Sequence, residues 1–189
     1  MAINNGYADV AELGQAMGLG ADEITSETSR LEAAIEQASR HIDMLTKKVW
    51  YEQTLTEEVC DRYAQSEKGI KTGEYNIIFP VPILTITAIE EDDEALTENA
   101  DYYVYKGESR IACEGRWTRE RKGIKITGTM GYTATPEHIK RYCITIAEVF
   151  TKLGNRLVTD EGESVQTALT SYIPKWVRDA LRAEAFNRV

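Results

Sequence analysis

A change of hydrophobic period near residue 51 is the feature that most constrains the fold of this chain. Before it, apolar residues between Leu31 and Val49 recur every three or four positions, with charged residues on the opposite side. This spacing predicts one long amphipathic helix. From Glu52 onward, apolar and polar residues alternate, which predicts strands. Several short strands close together in sequence favour an antiparallel β-meander over parallel βαβ units.

The same two patterns extend the prediction to both ends of the chain. A short helix is expected at 7–17, and Ser29–Glu32 fits a capping box for the long helix, with Thr25 or Ser26 as an alternative start. Further helices are expected after Pro136 and Pro174. Strands are expected at 54–63, 75–79, 84–89, 102–105 and 123–129. The order predicts an α+β fold: helices, one of them long and amphipathic, packed with a small antiparallel β-meander, plus a C-terminal helix.

We expect two segments, a helical and β-meander domain at 1–157 and a loop with an amphipathic helix at 158–189.

The 189 residues include 31 acidic and 22 basic ones, a net charge of −9. Such a chain is a poor general ligand for nucleic-acid phosphates. The three cysteines are odd in number and far apart, which is typical of a reduced, intracellular protein. Without a signal-peptide pattern or an apolar span, we expect a soluble protein that is neither secreted nor membrane-bound.

No motif of nucleophilic catalysis, phosphate binding or metal binding is present in the sequence. It lacks a Gly-x-Ser-x-Gly elbow and a complete P-loop. We interpret His41 as a boundary residue of the long helix and His138 as an exposed residue at a helix start. The cysteines are expected to be small core residues. The prediction is therefore a protein without catalytic residues, cofactor or metal.

Charge is segregated along the middle of the chain. The segment 90–101 holds seven acids and no base, and 106–125 holds seven bases against three acids. Both are interpreted either as solvated loops or as contacts in which an acidic loop of one subunit meets a basic loop of the next, a head-to-tail arrangement that closes into rings. The basic segment, which contains Trp117, could instead contact a nucleic-acid backbone. The candidate subunit-contact or channel residues are Glu90, Glu91, Asp92, Asp93, Arg116, Arg119, Arg121 and Lys122.

Four pieces of the chain follow one another in a particular order and spacing. They are a first helix at 7–13, a long helix with a basic-aromatic exit at 31–51, a proline-broken strand pair at 75–89 with an acid-aromatic successor at 101–104, and a last strand at 126–132 with a helix start at Pro136. Together they cover most of residues 7–153, and in this order they resemble the head–tail connector (adaptor) proteins of long-tailed bacteriophages.

The resemblance implies a virion protein without catalysis. Relatives form a ring, commonly of a dozen subunits, in the neck beneath the portal; the ring extends the DNA channel and presents a surface to a stopper or tail protein. DNA would pass through the lumen without specific binding, and the protein would be made in the host bacterial cytoplasm. An acidic lumen repels phosphate, so we expect 90–94 or 160–163 to face the channel or a neighbour.

In the same family the portal contact is associated with the C-terminal region, which corresponds to 174–189 in this chain. A terminal amphipathic helix suits docking into a partner groove, and it equally suits a core helix of its own domain. The residues carried over as portal contacts are Trp176, Val177, Arg178, Leu181 and Arg182. Other hypotheses are a different neck or tail-completion protein, a small enzyme whose acids converge only in three dimensions, and a regulatory binding module.

Overall fold

The computed structural model describes residues 6–119, 123–154 and 172–186, and it confirms the predicted α+β fold. The chain divides into a helical unit, formed by Met1–Trp50 and Thr135–Asn187, and a β unit, Tyr51–Ala134. The described helices are α1 (Val10–Ala16), α2 (Ala21–Ser26), α3 (Thr28–Thr46), α4 (Glu137–Gly154) and α5 (Lys175–Phe186). The described strands are β1 (Gln53–Cys60), β2 (Lys71–Thr72), β3 (Asn76–Ile78), β4 (Ile83–Glu91), β5 (Glu94–Ala95), β6 (Tyr102–Tyr105), β7 (Arg110–Cys113) and β8 (Ile124–Met130).

The predicted long helix is α3, and its apolar stripe forms the centre of the helical unit. Leu31, Ile35 and Ile42 are fully buried, and α3 packs against α1, α4 and α5. On α4, Ile139 and Ile146 are buried in the same way. Exposing this apolar stripe to water would be unfavourable. Packing against several neighbouring helices buries it.

The N-terminal helices differ from the prediction in two details. The segment 7–17 yields only the seven-residue α1, whose capping box joins the backbone N–H of Asp9 to Glu12 Oε2 at 3.2 Å. The predicted capping box at Ser29–Glu32 is wrong, because α3 already begins at Thr28, directly after α2. Helix α2 was not predicted from the sequence, since its six residues are too few to show helical periodicity.

The β unit contains two antiparallel four-stranded sheets. The first sheet has the order β1-β8-β4-β5 and the second has the order β2-β3-β7-β6. Three of the six neighbouring pairs, β1-β8, β8-β4 and β3-β7, are not consecutive in the chain, so the arrangement is not a single meander. Apolar residues from both sheets form one core between them, including Leu55, Ile83 and Ile126 from the first sheet and Ile77 and Ile111 from the second.

Strand β7 lies inside the segment that its positive charge suggested was a loop. Arg110–Cys113 pairs with β3 on one side and β6 on the other, and Ile111 is fully buried. Strand β7 has four residues and only one fully buried side chain, so its alternation is too short to predict a strand. The positive charge of the segment favoured a loop instead. The described cations of 106–125 are therefore distributed over a 3₁₀ turn at Lys106, strand β7, the loop that follows it and β8 rather than over one loop.

Two glycines allow strands of the first sheet to approach closely. A Cβ atom on Gly128 would lie 2.3 Å from the carbonyl oxygen of Thr85. Gly131 has a φ of +111°, and a Cβ there would lie 2.2 Å from the carbonyl oxygen of Tyr51. Only glycine fits the space at both positions, and at Gly131 it also suits the positive φ. The motif Ile126–Tyr132 thus joins the centre of this sheet to the place where the chain enters it.

Candidate functional site

The acidic run at 90–94 forms the β4–β5 hairpin at one edge of the first sheet. Glu91 pairs with Glu94, and the two residues between them, Asp92 and Asp93, both have left-handed φ values, as a type I′ turn requires. We call Glu90–Glu94 the acidic hairpin. Its turn projects two consecutive aspartates into solvent.

Much of the charge of the acidic hairpin is compensated within the same chain. Lys125, on neighbouring strand β8, forms an ion pair with Asp93 and lies 3.8 Å from Glu90. The hydrogen bond that Lys125 donates to Asp93 lowers the pKa of Asp93 and raises the pKa of Lys125. Glu91 accepts a hydrogen bond from the backbone N–H of Thr118. Asp92 and Glu94 contact no cation among the residues that the structure describes.

Lys125 is therefore a residue of this site that was not among the candidates predicted from the sequence. Its partnership with Glu90 follows from the register that pairs these two residues across β4 and β8. No local spacing encodes that pairing, because 35 positions of sequence separate the residues. The ion pair could have been predicted only if β4 and β8 had first been recognised as neighbouring strands with opposite charges at facing positions.

Arg116 belongs to a cluster with Glu74, Tyr75 and Arg62 rather than to the ion pairs of the acidic hairpin. Its Nε atom lies 3.0 Å from Glu74 Oε1 and donates to the Tyr75 hydroxyl at 3.1 Å. Arg62 shares the same carboxylate oxygen at 3.1 Å and stacks on the ring of Tyr63, 5.0 Å from its centroid. Arg116 stays largely exposed. Its hydrogen bond to Tyr75 is the main cause of a raised pKa.

The other basic candidates are less informative. Arg119 is exposed at the end of a described segment, and Arg121 and Lys122 lie outside the described residues. Trp117, the aromatic residue of the basic segment considered for nucleic-acid contact, is almost fully buried in the β core. Its ring is unavailable for stacking, so the hypothesis of a basic-aromatic surface for nucleic acid loses its aromatic residue.

Helix α5 presents two faces within the helical unit. Val177 and Leu181 are fully buried, and α5 packs against α3. Trp176 is 58% exposed, Arg182 is exposed and Arg178 is half-buried. The helix therefore serves as a core helix of its unit on one side and offers a basic, aromatic face to solvent on the other. The segment 160–163, the second acidic candidate, lies outside the described residues.

A row of aromatic rings links the end of α3 to α5. Trp50, His138, Tyr142 and Trp176 meet successively edge to face, with centroid separations of 6.0 to 6.1 Å. Three of these residues, with Glu137 and Arg141, line an open cavity of about 550 Å³ on the helical unit. His138 Nε2 lies 3.7 Å from Glu184 Oε1. The five described residues that line the cavity include no serine, threonine or cysteine that this histidine could activate.

A buried polar network fixes the start of the chain. The Tyr7 hydroxyl donates to Asp43 and accepts from the backbone N–H of Trp50 at 2.9 Å. Burial, followed by the hydrogen bond to Asp43, raises the pKa of Tyr7 well above its usual value, and burial likewise raises the pKa of Asp43. These residues tie the N-terminal segment to the exit of α3. Nothing in their sequence spacing indicated the contact.

The three cysteines are free thiols. Burial raises the pKa of Cys60 to about 12 and that of Cys143 to about 11. Such thiols are poor nucleophiles, because the thiolate is the reactive form. Among the described residues, no three histidine, cysteine or acidic side chains group as metal ligands would, and no described helix is long and apolar enough to cross a membrane.

The fold is similar to that of solved chains from gene transfer agent (GTA) particles. One belongs to a structure described as the neck of an empty GTA particle computed with C6 symmetry. It has a TM-score of 0.56 and 14% identity, and the match covers 96% of this chain and 92% of that one. Another belongs to the virion of a native GTA particle, with a TM-score of 0.51, 14% identity and coverages of 97% and 91%. No family model and no curated protein sequence matches.

The likeness covers the helical and β units together, since almost the whole of each chain is matched. It defines the class of fold, namely an α+β fold that also occurs in particle necks. At 14% sequence identity, this similarity shows a shared fold only.

Proposed function

We propose that this chain is a structural protein of a phage-type neck and that it acts by assembly rather than by catalysis. The observation that carries the proposal is the fold shared, over 96% of the chain, with a protein from the neck of a GTA particle. The order of sequence pieces that resembles head–tail connectors supports it independently, because that resemblance rests on residues and not on coordinates.

In this proposal the protein forms a homo-oligomeric ring beneath the portal, extends the DNA channel and joins the head to a stopper or tail protein. The similar GTA neck was computed with C6 symmetry, which supports a cyclic assembly. The protein would be made in the host bacterial cytoplasm and reside in the virion neck. A net charge of −9 suits a conduit, because carboxylates repel DNA phosphates and let the duplex slide.

The portal contact is proposed to involve the exposed face of α5, within the arm at 158–189. Trp176 and Arg182 are available to a partner, and Arg178 is half available. Tryptophan and arginine are the residues that most often dominate binding energy at interfaces. Val177 and Leu181 would act indirectly, since their burial against the helical unit fixes how the exposed face is presented.

Removal of the gene from the phage or particle genome that carries it tests the proposal. Electron microscopy of the resulting lysate is expected to show heads that packaged DNA and then lost it, or heads without tails. Restoring the gene on a plasmid is the control and should restore complete particles. Normal infectious particles in the absence of the gene would refute a neck role.

A different neck or tail-completion protein remains the competing proposal within the same setting. Labelled protein distinguishes the two, because a connector should bind isolated portal-bearing heads directly. A Trp176→Ala and Arg182→Glu double variant should bind these heads at least ten-fold more weakly, whereas exposed Met44→Ala, on the same unit, should not. Binding only to heads that already carry another neck protein would favour the competing role.

A further inference from the structure

The two sheets of the β unit turn chemically different faces outward. On the first sheet, strand register aligns Thr54, Thr129 and Thr85 in one row across β1, β8 and β4, and the hydroxyls of Thr85 and Thr129 lie 2.8 Å apart. The next outward residues on β8 are Thr127 and Lys125. This is the polar outer face expected of an antiparallel sheet that faces water.

The outer face of the second sheet breaks this rule. Register places seven side chains on it, in one row across all four strands and a shorter one beside it. Three of them are large apolar or aromatic residues that remain substantially exposed: Ile78 at 44%, Tyr103 at 37% and Tyr105 at 42%. The seven are Lys71, Ile78, Arg110 and Tyr105, followed by Asn76, Ala112 and Tyr103. No acidic residue is among them. We call this set the tyrosine face.

Arg110 is held rigidly at the centre of the tyrosine face. Its Nη1 donates to Asn76 Oδ1 at 2.9 Å, and its Nε and Nη2 donate to Glu108 Oε2 at 3.0 and 2.7 Å. The guanidinium stacks on Tyr105, 4.3 Å from the ring centroid. Tyrosine and arginine are enriched among interface hot spots, and side chains that are already fixed lose little conformational entropy on binding.

The charges around the tyrosine face indicate what would cover it. Lys71 on edge strand β2 and Lys106, just after edge strand β6, are both exposed, whereas Glu108 is already bound to Arg110. The β unit as a whole is acidic: Tyr51–Ala134 contains 16 acidic and 10 basic residues, a net charge of −6. A cationic, aromatic face on an acidic body is complementary to the body of another copy.

One element of such a copy matches particularly well. The acidic hairpin ends in Asp92 and Glu94, the two acids that meet no cation among the described residues. It belongs to the first sheet, whereas the tyrosine face is the outside of the second. A contact between these two unlike surfaces is head-to-tail, and head-to-tail contacts close into rings when the rotation allows.

We propose that the tyrosine face is the subunit interface that receives the acidic hairpin of a second copy of this chain. This inference rests on the proposed function, since it specifies the contact by which the proposed ring would form. Compared with the interface predicted from sequence, the acidic side is retained. The cationic side moves from the loop around Arg116 to Lys71, Arg110 and the tyrosines beside them.

Disulfide trapping between variants that each carry one introduced surface cysteine tests the contact; native Cys60 and Cys143 stay in place because they are buried. Tyr105→Cys marks the tyrosine face, Glu94→Cys marks the acidic hairpin, and Thr85→Cys marks the first sheet's polar face as a matched control. All three carry Cys113→Ser, so that the half-buried native thiol does not react. Under mild oxidation of concentrated protein, mixing Tyr105→Cys with Glu94→Cys is expected to give dimers at least ten-fold faster than mixing Thr85→Cys with Glu94→Cys. Raising the salt concentration should slow only the first reaction.

Each outcome decides the proposal. Equal rates in the two mixtures would overturn it, and so would fastest dimerisation of Tyr105→Cys alone, because that result means a two-fold contact between like faces. Circular dichroism of each variant checks that it is folded. The gene-removal experiment separates this inference from the proposed function. Defective particles without trapping would refute only the interface, whereas trapping with normal particles would refute only the neck role.

Discussion

Tyr7 shows how much a single side chain contributes to the helical unit. It lies far from α3 in sequence, yet its hydroxyl satisfies Asp43 and the backbone of Trp50 at once. A partly buried carboxylate, which also has Arg40 Nε 3.4 Å from its Oδ2, and a buried backbone N–H thus share one oxygen atom as a partner. Leaving such groups without a partner costs more than the hydrogen bonds themselves contribute, because water cannot replace the lost partner.

We predict that Tyr7→Phe destabilises the protein by about 1–3 kcal/mol, since it removes both hydrogen bonds and keeps the packed ring. Urea denaturation followed by circular dichroism measures the change. Tyr172→Phe removes a hydroxyl from an exposed tyrosine of the same unit and should change stability by less than about 0.5 kcal/mol. Equal effects of the two variants would contradict the role given to the Tyr7 network.

The thiols provide a second prediction at this scale. Cys60 and Cys143 are buried and have strongly raised pKa values, whereas Cys113 is half-buried. We expect an aromatic disulfide reagent to modify one thiol of the native protein quickly and all three only after unfolding. Cys113→Ser should abolish the fast phase. A fast phase that survives in this variant would show that one of the buried sites opens readily.

At the scale of elements, long periodic segments were predicted from sequence, as were the short strands β3 and β6, whereas the two-residue strands were not. The spacing from Leu31 to Val49 located α3, and alternation located β1, β4 and β8, because each has enough residues for a period to appear. Strands β2 and β5 have two residues each. Their pairing depends on neighbours brought together by the fold, so no local pattern marks them.

Strand order was beyond sequence for the same reason. The prediction of one meander assumed that consecutive strands pair, but β8 inserts between β1 and β4. The tyrosine face was missed as a consequence, because Ile78, Arg110 and Tyr105 lie on three strands whose adjacency nothing local encodes. By contrast, the acidic residues of 90–94 were found, because they form one continuous run.

We predict that Gly128→Ala strongly destabilises the first sheet. The added methyl group would lie 2.3 Å from the Thr85 carbonyl oxygen, so β4 and β8 must separate. The expected cost is about 2–4 kcal/mol, in the range of overpacked cores and broken ladders. Thermal unfolding measures it. Gly115→Ala, where a Cβ meets nothing within 4 Å, is the control and should be nearly neutral.

At the scale of the whole molecule, the β unit is an insertion between α3 and α4. It has its own core, and the chain enters and leaves it at neighbouring points, because Gly131 packs against the Tyr51 carbonyl group. A segment with a closed core and adjacent ends has what an independent domain requires.

We therefore predict that residues 51–134 fold as an isolated fragment. The expected result is a cooperative unfolding transition with a β-type circular dichroism spectrum, together with the fluorescence of a buried indole from Trp117, its only tryptophan. The same fragment carrying Gly128→Ala provides the destabilised comparison. A fragment that unfolds without cooperativity would show that this unit depends on the helices.

The turn of the acidic hairpin has a further consequence for engineering. Its second residue, Asp93, has a φ of +66°, where glycine is the usual choice in this type of turn. Asp93→Gly is thus expected to preserve the hairpin and relax its backbone while deleting a carboxylate; NMR amide shifts of β4 and β5 should stay in place and the isoelectric point should rise. Substitutions at this tip can therefore change the electrostatic potential of the hairpin while its backbone shape stays the same.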